Sequence, residues 1–156
     1  MLFRSSERLS TIIQKLFYIE KPVTSTKIIV NVEKKLMIGD NFDATGTKPK
    51  MCILCGTSLL VASYADMLSK VIETLYDLDS DILDDLAVNN YILPGAAKVY
   101  ITKNRTLLRR AVEIYESGIY FEANLSANNI ISFIKSLLDN YDLDYRDLVL
   151  CFDEKN

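Results

Sequence analysis

The residues of this sequence that could do chemistry fall into four groups. They are three cysteines, a glycine-hydroxyl turn, a basic stretch and an acidic stretch. Cys52-x-x-Cys55 has the spacing of redox and zinc motifs. A redox pair sits at a helix N-terminus, where the dipole lowers the thiol pKa. Here both thiols fall in the apolar run MCILC, where strand geometry points them to opposite faces. A zinc site needs about four ligands, and only Cys151 and carboxylates remain to complete one. The three thiols are therefore expected to be free, buried and structural, acting as small core hydrophobes, with no metal and no cofactor.

Cys55-Gly56-Thr57-Ser58 is expected to join a central strand to a long helix. At such a junction Gly56 allows close approach of the backbone, Thr57 and Ser58 offer hydroxyls, and the helix offers unpaired N–H groups to an anion. The plainer reading is that Thr57 or Ser58 caps the helix. Residues 96–112 hold Lys98, Lys103, Arg105, Arg109 and Arg110 and no acidic residue. Lys98 and Tyr100 are expected on the solvent side of a strand, and Arg105 and Arg109 one turn apart on a following helix. Together they could hold a phosphate or a nucleotide. The plainer reading is a solvated helix face with Arg109 and Glu113 paired at i, i+4.

Residues 73–85 are the mirror image: Glu73, Asp77, Asp79, Asp81, Asp84 and Asp85, with no basic residue among them. Asp77-x-Asp79-x-Asp81 begins like a calcium loop, but Ile82 stands where the glycine is needed and Val88 where the closing glutamate is needed. The run is expected to cap a helix and to present Asp77, Asp79, Asp81 and Asp84 to a basic protein partner. Asp40 and Asp43 lie in a polar loop at 39–50 and are expected to be solubilising residues. The chain has no histidine, which removes Ser-His-Asp and Cys-His nucleophilic sites and the commonest general base.

The run Ile53 to Leu60 (ILCGTSLL) resembles the first strand and loop of CARF domains, the cyclic-oligoadenylate sensors of CRISPR systems, over eight residues of 156. Such a resemblance implies a strand–turn–helix unit that binds a cyclic oligonucleotide. CARF domains usually carry a second glycine-rich element later in the fold, and this sequence has none.

The elements that must position these groups can be read from periodicity. Leu9, Ile12, Ile13, Leu16 and Phe17 predict an amphipathic helix over 6–19, ended by Pro22. Residues 28–38 predict a hairpin or one long strand, with Glu33-Lys34-Lys35 as a turn. MCILC predicts a central strand covered on both faces. Helices are predicted over 58–76, 80–90, 105–117 and from about Ile130 to Tyr141, and strands over 97–102 and 119–125. Leu148–Phe152 reads as an edge strand. Residues 51–79 and 119–144 each end in Tyr-Asp-Leu-Asp, a short internal echo.

Apolar residues make up 49% and charged residues 25%, the balance of a packed domain. The predicted fold is α/β, with mixed α+β as the alternative. It is a single domain over 1–156, with a mixed sheet of five or six strands and helices on both faces. The net charge of −3 excludes a protein that coats nucleic acid through bulk charge. No apolar run approaches the roughly 20 residues a bilayer requires. The opening residues lack the continuous apolar core of a signal peptide, so a cytoplasmic location is expected. The expected function is that of a small regulatory protein, non-enzymatic, acting through a protein partner as immunity and inhibitor proteins do. The alternative is a nucleotide- or oligonucleotide-binding sensor or nuclease domain, using Gly56–Ser58 and residues 98–110. A homodimer built on the N-terminal helix is a third expectation.

Overall fold

The computed structural model describes residues 34–38, 41 and 43–152. The expected helix over 6–19, most of the expected strand over 28–38, and Asp40 lie outside the described residues. The chain forms β1 (Lys34–Met37), β2 (Pro49–Leu54), β3 (Thr57–Leu60), α1 (Tyr64–Leu78), α2 (Ser80–Val88), β4 (Tyr91–Ile92) and β5 (Val99–Thr102). It continues through β6 (Ala111–Glu113), β7 (Tyr120–Glu122), α3 (Ala127–Asn140) and β8 (Leu148–Phe152). Single 3-10 turns at Arg105–Leu107 and Tyr145–Asp147 precede β6 and β8.

The class is mixed α+β. The strands make two four-stranded sheets, β1-β8-β2-β3 and β4-β5-β7-β6. Among the described residues every pairing is antiparallel, in place of the expected partly parallel sheet. Two corrections account for the difference. Residues 57–60 are a strand and not the start of a helix. Cys55 and Gly56 have φ of 50° and 85°, the two left-handed residues of a type I′ turn, and Leu54 pairs directly with Thr57 across it. The helix begins only at Tyr64, where the Ser63 hydroxyl accepts the Asp66 N–H at 3.1 Å. Likewise, residues 105–117 are not a helix. A 3-10 turn leads into β6, which pairs Val112 with Phe121. The chain then reverses through a turn with Tyr115 at φ 50° and Gly118 at φ 77°, closed by the Ile114 N–H on the Ile119 carbonyl at 2.9 Å.

Two smaller expectations also change. β8 is not an edge strand; it lies between β1 and β2. Lys34 and Lys35 belong to β1 and do not form a turn.

The helices form where the apolar spacing predicts them because each has a stripe to bury. Met67, Leu68, Val71, Ile72 and Leu75 of α1 are inaccessible to solvent, as are Phe133, Ile134, Leu137 and Leu138 of α3. α1 packs on α3 and on β2, and the core they make is continuous from Leu54 and Leu150 of the first sheet to Ile101 and Phe121 of the second. Each such side chain contributes about 1.5–3 kcal/mol by leaving water.

The two Tyr-Asp-Leu-Asp sequences do the same local work. Asp79 ends α1 and accepts the Asp81 N–H at 3.1 Å to start α2; Asp144 follows α3 and starts the Tyr145–Asp147 turn with a reciprocal capping box. The hydroxyl of Tyr141 donates to the Asp79 carbonyl at 2.6 Å and ties the two together.

Candidate functional site

The basic segment is held by a carboxylate that no motif in the sequence marks. Glu122, at the end of β7, is 1% exposed. Its Oε1 accepts the Arg109 N–H at 2.9 Å, and its Oε2 accepts the Arg110 N–H at 2.9 Å and the Asn124 N–H at 3.1 Å. Burial pushes this carboxyl up, but those three N–H groups and the Lys98 charge together hold it below the usual glutamate value. The protein thus places its own anion under the cluster of cations. The one hint in the sequence is an acidic residue inside the alternating run Ile119–Leu125.

Around this anchor, Lys98, Lys103, Arg105 and Arg109 are exposed. The Lys98 ammonium lies 5.6 Å from the ring of Tyr100, and the Arg105 guanidinium lies 5.9 Å from the ring of Tyr120. Tyr100 does not face solvent as expected. β5 is flanked by β4 and β7, with α2 against it, and Tyr100 is buried edge-on to Phe133 at 5.0 Å and 90°. Arg105 begins a three-residue 3-10 turn capped by Asn104, too short to supply the helix dipole that the anion reading requires. Arg109 and Glu113 do not form an i, i+4 helical pair. Gly56, Thr57 and Ser58 sit in the β2–β3 hairpin of the first sheet, whereas Tyr100 lies in β5 of the second, Lys98 and Lys103 flank that strand, and Arg105 and Arg109 lie in the connection from β5 to β6. The two halves of the expected anion site therefore belong to segments attached to different sheets, and neither stands at the N-terminus of an α-helix.

The acidic run meets the basic segment. The Asp84 carboxylate is 2.5 Å from the Lys103 ammonium. Asp79 is engaged in capping α2, and Asp81 and Asp85 are exposed along α2. Asp77 accepts the hydroxyl of Tyr115 at 3.2 Å. The Tyr115 ring meets Tyr76 edge-on at 5.7 Å, and half of its surface is exposed. A bulky residue at φ 50° is strained by roughly 1–3 kcal/mol, and the Asp77 and Tyr76 contacts hold it there. Burial, the Asp77 charge and hydrogen bond, and the Glu73 charge push the Tyr115 phenol up, so it stays a proton donor and not a base at neutral pH. The acidic run signals this place in the sequence, but Tyr115 itself does not.

The thiols are free. Cys52 is in the core, and burial first, then the neighbouring Cys151, pushes it up to about 12. Cys55 is half-buried in the hairpin turn and is pushed up to about 11 by burial and by Asp147. Neither is poised as a thiolate. Among the described residues, no group of three or more His, Cys, Asp or Glu side chains could hold a metal ion. Asp43 does more than solubilise its loop. It accepts the side-chain amide of Asn128 and the Thr45 N–H, each at 2.9 Å, while Asn128 accepts the Ala44 N–H at 2.8 Å. These bonds, Asn128 foremost, hold the Asp43 carboxyl at about 2. No described helix is long and apolar enough to cross a membrane.

Compared with protein-family models, with curated proteins and with solved structures, the chain matches none.

Proposed function

We propose that this chain is a small cytoplasmic regulatory protein, non-enzymatic, that works by binding a protein partner with a basic surface. The observation that supports this reading is Tyr115: a half-exposed aromatic at left-handed φ, anchored by Asp77 and Tyr76 amid an acidic run. An ordered aromatic gives a large contact area at little entropy cost, and the surrounding carboxylates select for complementary charge. Tyr115 sits in the turn between β6 and β7, and the Asp77 hydrogen bond and the Tyr76 ring hold that turn against the end of α1.

The test is to identify proteins crosslinked to the full chain and then to measure affinity for the purified partner. Tyr115→Ala should weaken binding by about 2 kcal/mol or more, roughly 30-fold, as a central aromatic anchor does. Charge reversal at Asp77 or Asp81 should weaken it further and reduce its salt dependence. Lys98→Ala and Arg105→Ala should leave it unchanged. The alternative, a nucleotide- or oligonucleotide-binding protein, rests on the exposed cations at Lys98, Arg105 and Arg109. A thermal-shift screen decides between the two. A nucleotide at about 100 times its dissociation constant adds about 2.7 kcal/mol of stability, and loss of that gain in Lys98→Ala and Arg105→Ala would favour the alternative.

A further inference from the structure

In an antiparallel sheet the N–H and C=O of one residue point to the same side, and successive residues point to opposite sides. β6 is an edge strand of the second sheet, with β7 on one side of it. The ends of the pairing fix which residues face β7. The Ile114 N–H donates to the Ile119 carbonyl, and the Arg110 carbonyl accepts the Ala123 N–H, each at 2.9 Å. Val112, between them, pairs with Phe121 in the same register. Ala111 and Glu113 therefore turn their N–H and C=O groups away from β7. Among the described residues nothing takes up these four groups. An open edge of this kind is a template for a further strand unless a proline or a bulge blunts it. β6 has no proline and pairs with β7 without a shift in register, whereas β4, the opposite edge, is two residues long and irregular.

The side chains along this edge change sign from one end to the other. Arg109 and Arg110 precede β6 and Glu113 ends it; all three are exposed, and among the described residues none is in an ion pair. Between them Ala111 is small, and Val112 is apolar and half-buried against the core. A strand that is basic at one end and acidic at the other complements itself when run antiparallel and repels itself when run parallel.

We infer that β6 pairs with β6 of a second copy of this chain, antiparallel about a two-fold axis at Val112, so that the two β4-β5-β7-β6 sheets become one. The register follows from which groups are free. Ala111 of each copy faces Glu113 of the other, and the two pairs exchange all the open main-chain groups. A register that set Ala111 against itself would call on the Arg109 N–H, which Glu122 already holds at 2.9 Å. Val112 then meets its own copy in a non-hydrogen-bonded pair, with Cα atoms about 4.5 Å apart, and joins the two cores. Arg109 lies diagonal to Glu113 of the other copy, a separation that long side chains span. This inference goes beyond the basic-partner reading and does not rest on it.

Sedimentation equilibrium of the full-length chain should show the mass of one chain rising toward that of two as concentration increases. Arg109→Glu should weaken this association by roughly tenfold or more, and so should Glu113→Arg, because each sets like charges together. An equimolar mixture of the two variants should dimerise again, since both contacts are then opposite in sign. Glu113 also accepts the Gly118 N–H at 3.0 Å, so a second experiment leaves that bond intact. Val112→Cys, combined with Cys55→Ser, should form an intermolecular disulfide on mild oxidation. Ala111→Cys in the same background should not, because its two copies lie diagonally and beyond disulfide reach. Cys52 and Cys151 are buried and do not compete. A chain that stays monomeric at every concentration would overturn the inference. So would a dimer indifferent to Arg109→Glu, a mixture of the two folded variants that stays monomeric, or crosslinking through Ala111→Cys in preference to Val112→Cys.

Discussion

Replacing Glu122 by glutamine should cost far more than the small change in shape suggests. The carboxylate uses both oxygens on three backbone N–H groups, those of Arg109, Arg110 and Asn124. Glutamine keeps the shape but supplies one acceptor. With that oxygen in the place of Oε2, its amide group faces the Arg109 N–H, a donor against a donor. One charge-assisted bond is lost and two become neutral. A bond to a charged group contributes about 1.5–3 kcal/mol and a neutral one about 0.5–1.5, and the partly buried amides recover some of the loss from water, so Glu122→Gln should destabilise by about 2–4 kcal/mol. In urea at neutral pH the midpoint should fall by about 1–2 M with an unchanged slope. In a thermal scan the loss is about 4–16 °C.

The pH dependence gives a second handle on the same group. Its carboxyl lies below the ordinary value of 4.5 in the folded state, so its contribution is fully present above that value. It is lost as pH falls through the lower folded pKa. The gap between wild type and Glu122→Gln should therefore be constant near neutrality and close on acidification. A variant as stable as wild type at neutral pH, or a gap that widens in acid, would refute the account of the basic segment as pinned by an internal anion.

Two further outcomes follow from the site geometry. Native thiol titration near neutral pH should find Cys52 unreactive and Cys55 slow, with all three cysteines reacting after denaturation; rapid native alkylation of Cys52 would contradict its burial. Asn128→Ala should release Asp43, whose carboxyl should rise from about 2 toward 3.8 in an NMR titration; an Asp43 that still titrates near 2 would show that Asn128 is not its main support.

How much of the candidate site is legible in the sequence depends on which residues decide it. The acidic run is legible because exposed carboxylates on a helix need no distant partner, and Asp77, Asp81 and Asp84 stand where the periodicity of α1 and α2 puts them. The anion site is not, because one half depends on a helix start at Ser58, which lies in a strand, and the other on a helix over 105–117, where the chain makes a 3-10 turn and β6 instead. Tyr115 and Glu122 are invisible for a related reason. Their roles come from Asp77, Tyr76, Arg109 and Arg110, brought to them by the packing of one element on another.

The same division runs through the fold. α1, α2 and α3 are written locally: every helical hydrogen bond closes over four residues, the apolar stripe recurs about every 3.6, and Ser63, Asp79 and Ser126 start each helix with their own side chains. Strand pairing has no such local record. Whether ILCGTSLL turns into a helix or folds back as a hairpin depends on β8, which offers Cys151 to Met51 and Leu150 to Cys52 from the far end of the chain. Once β8 occupies one side of β2, the other side has a free ladder. β3 satisfies it through a two-residue turn, at lower entropy cost than any distant strand could. The composition and the helical periods determine that this chain packs helices on sheets. Only the tertiary structure decides that the described strands make two sheets and that both are antiparallel.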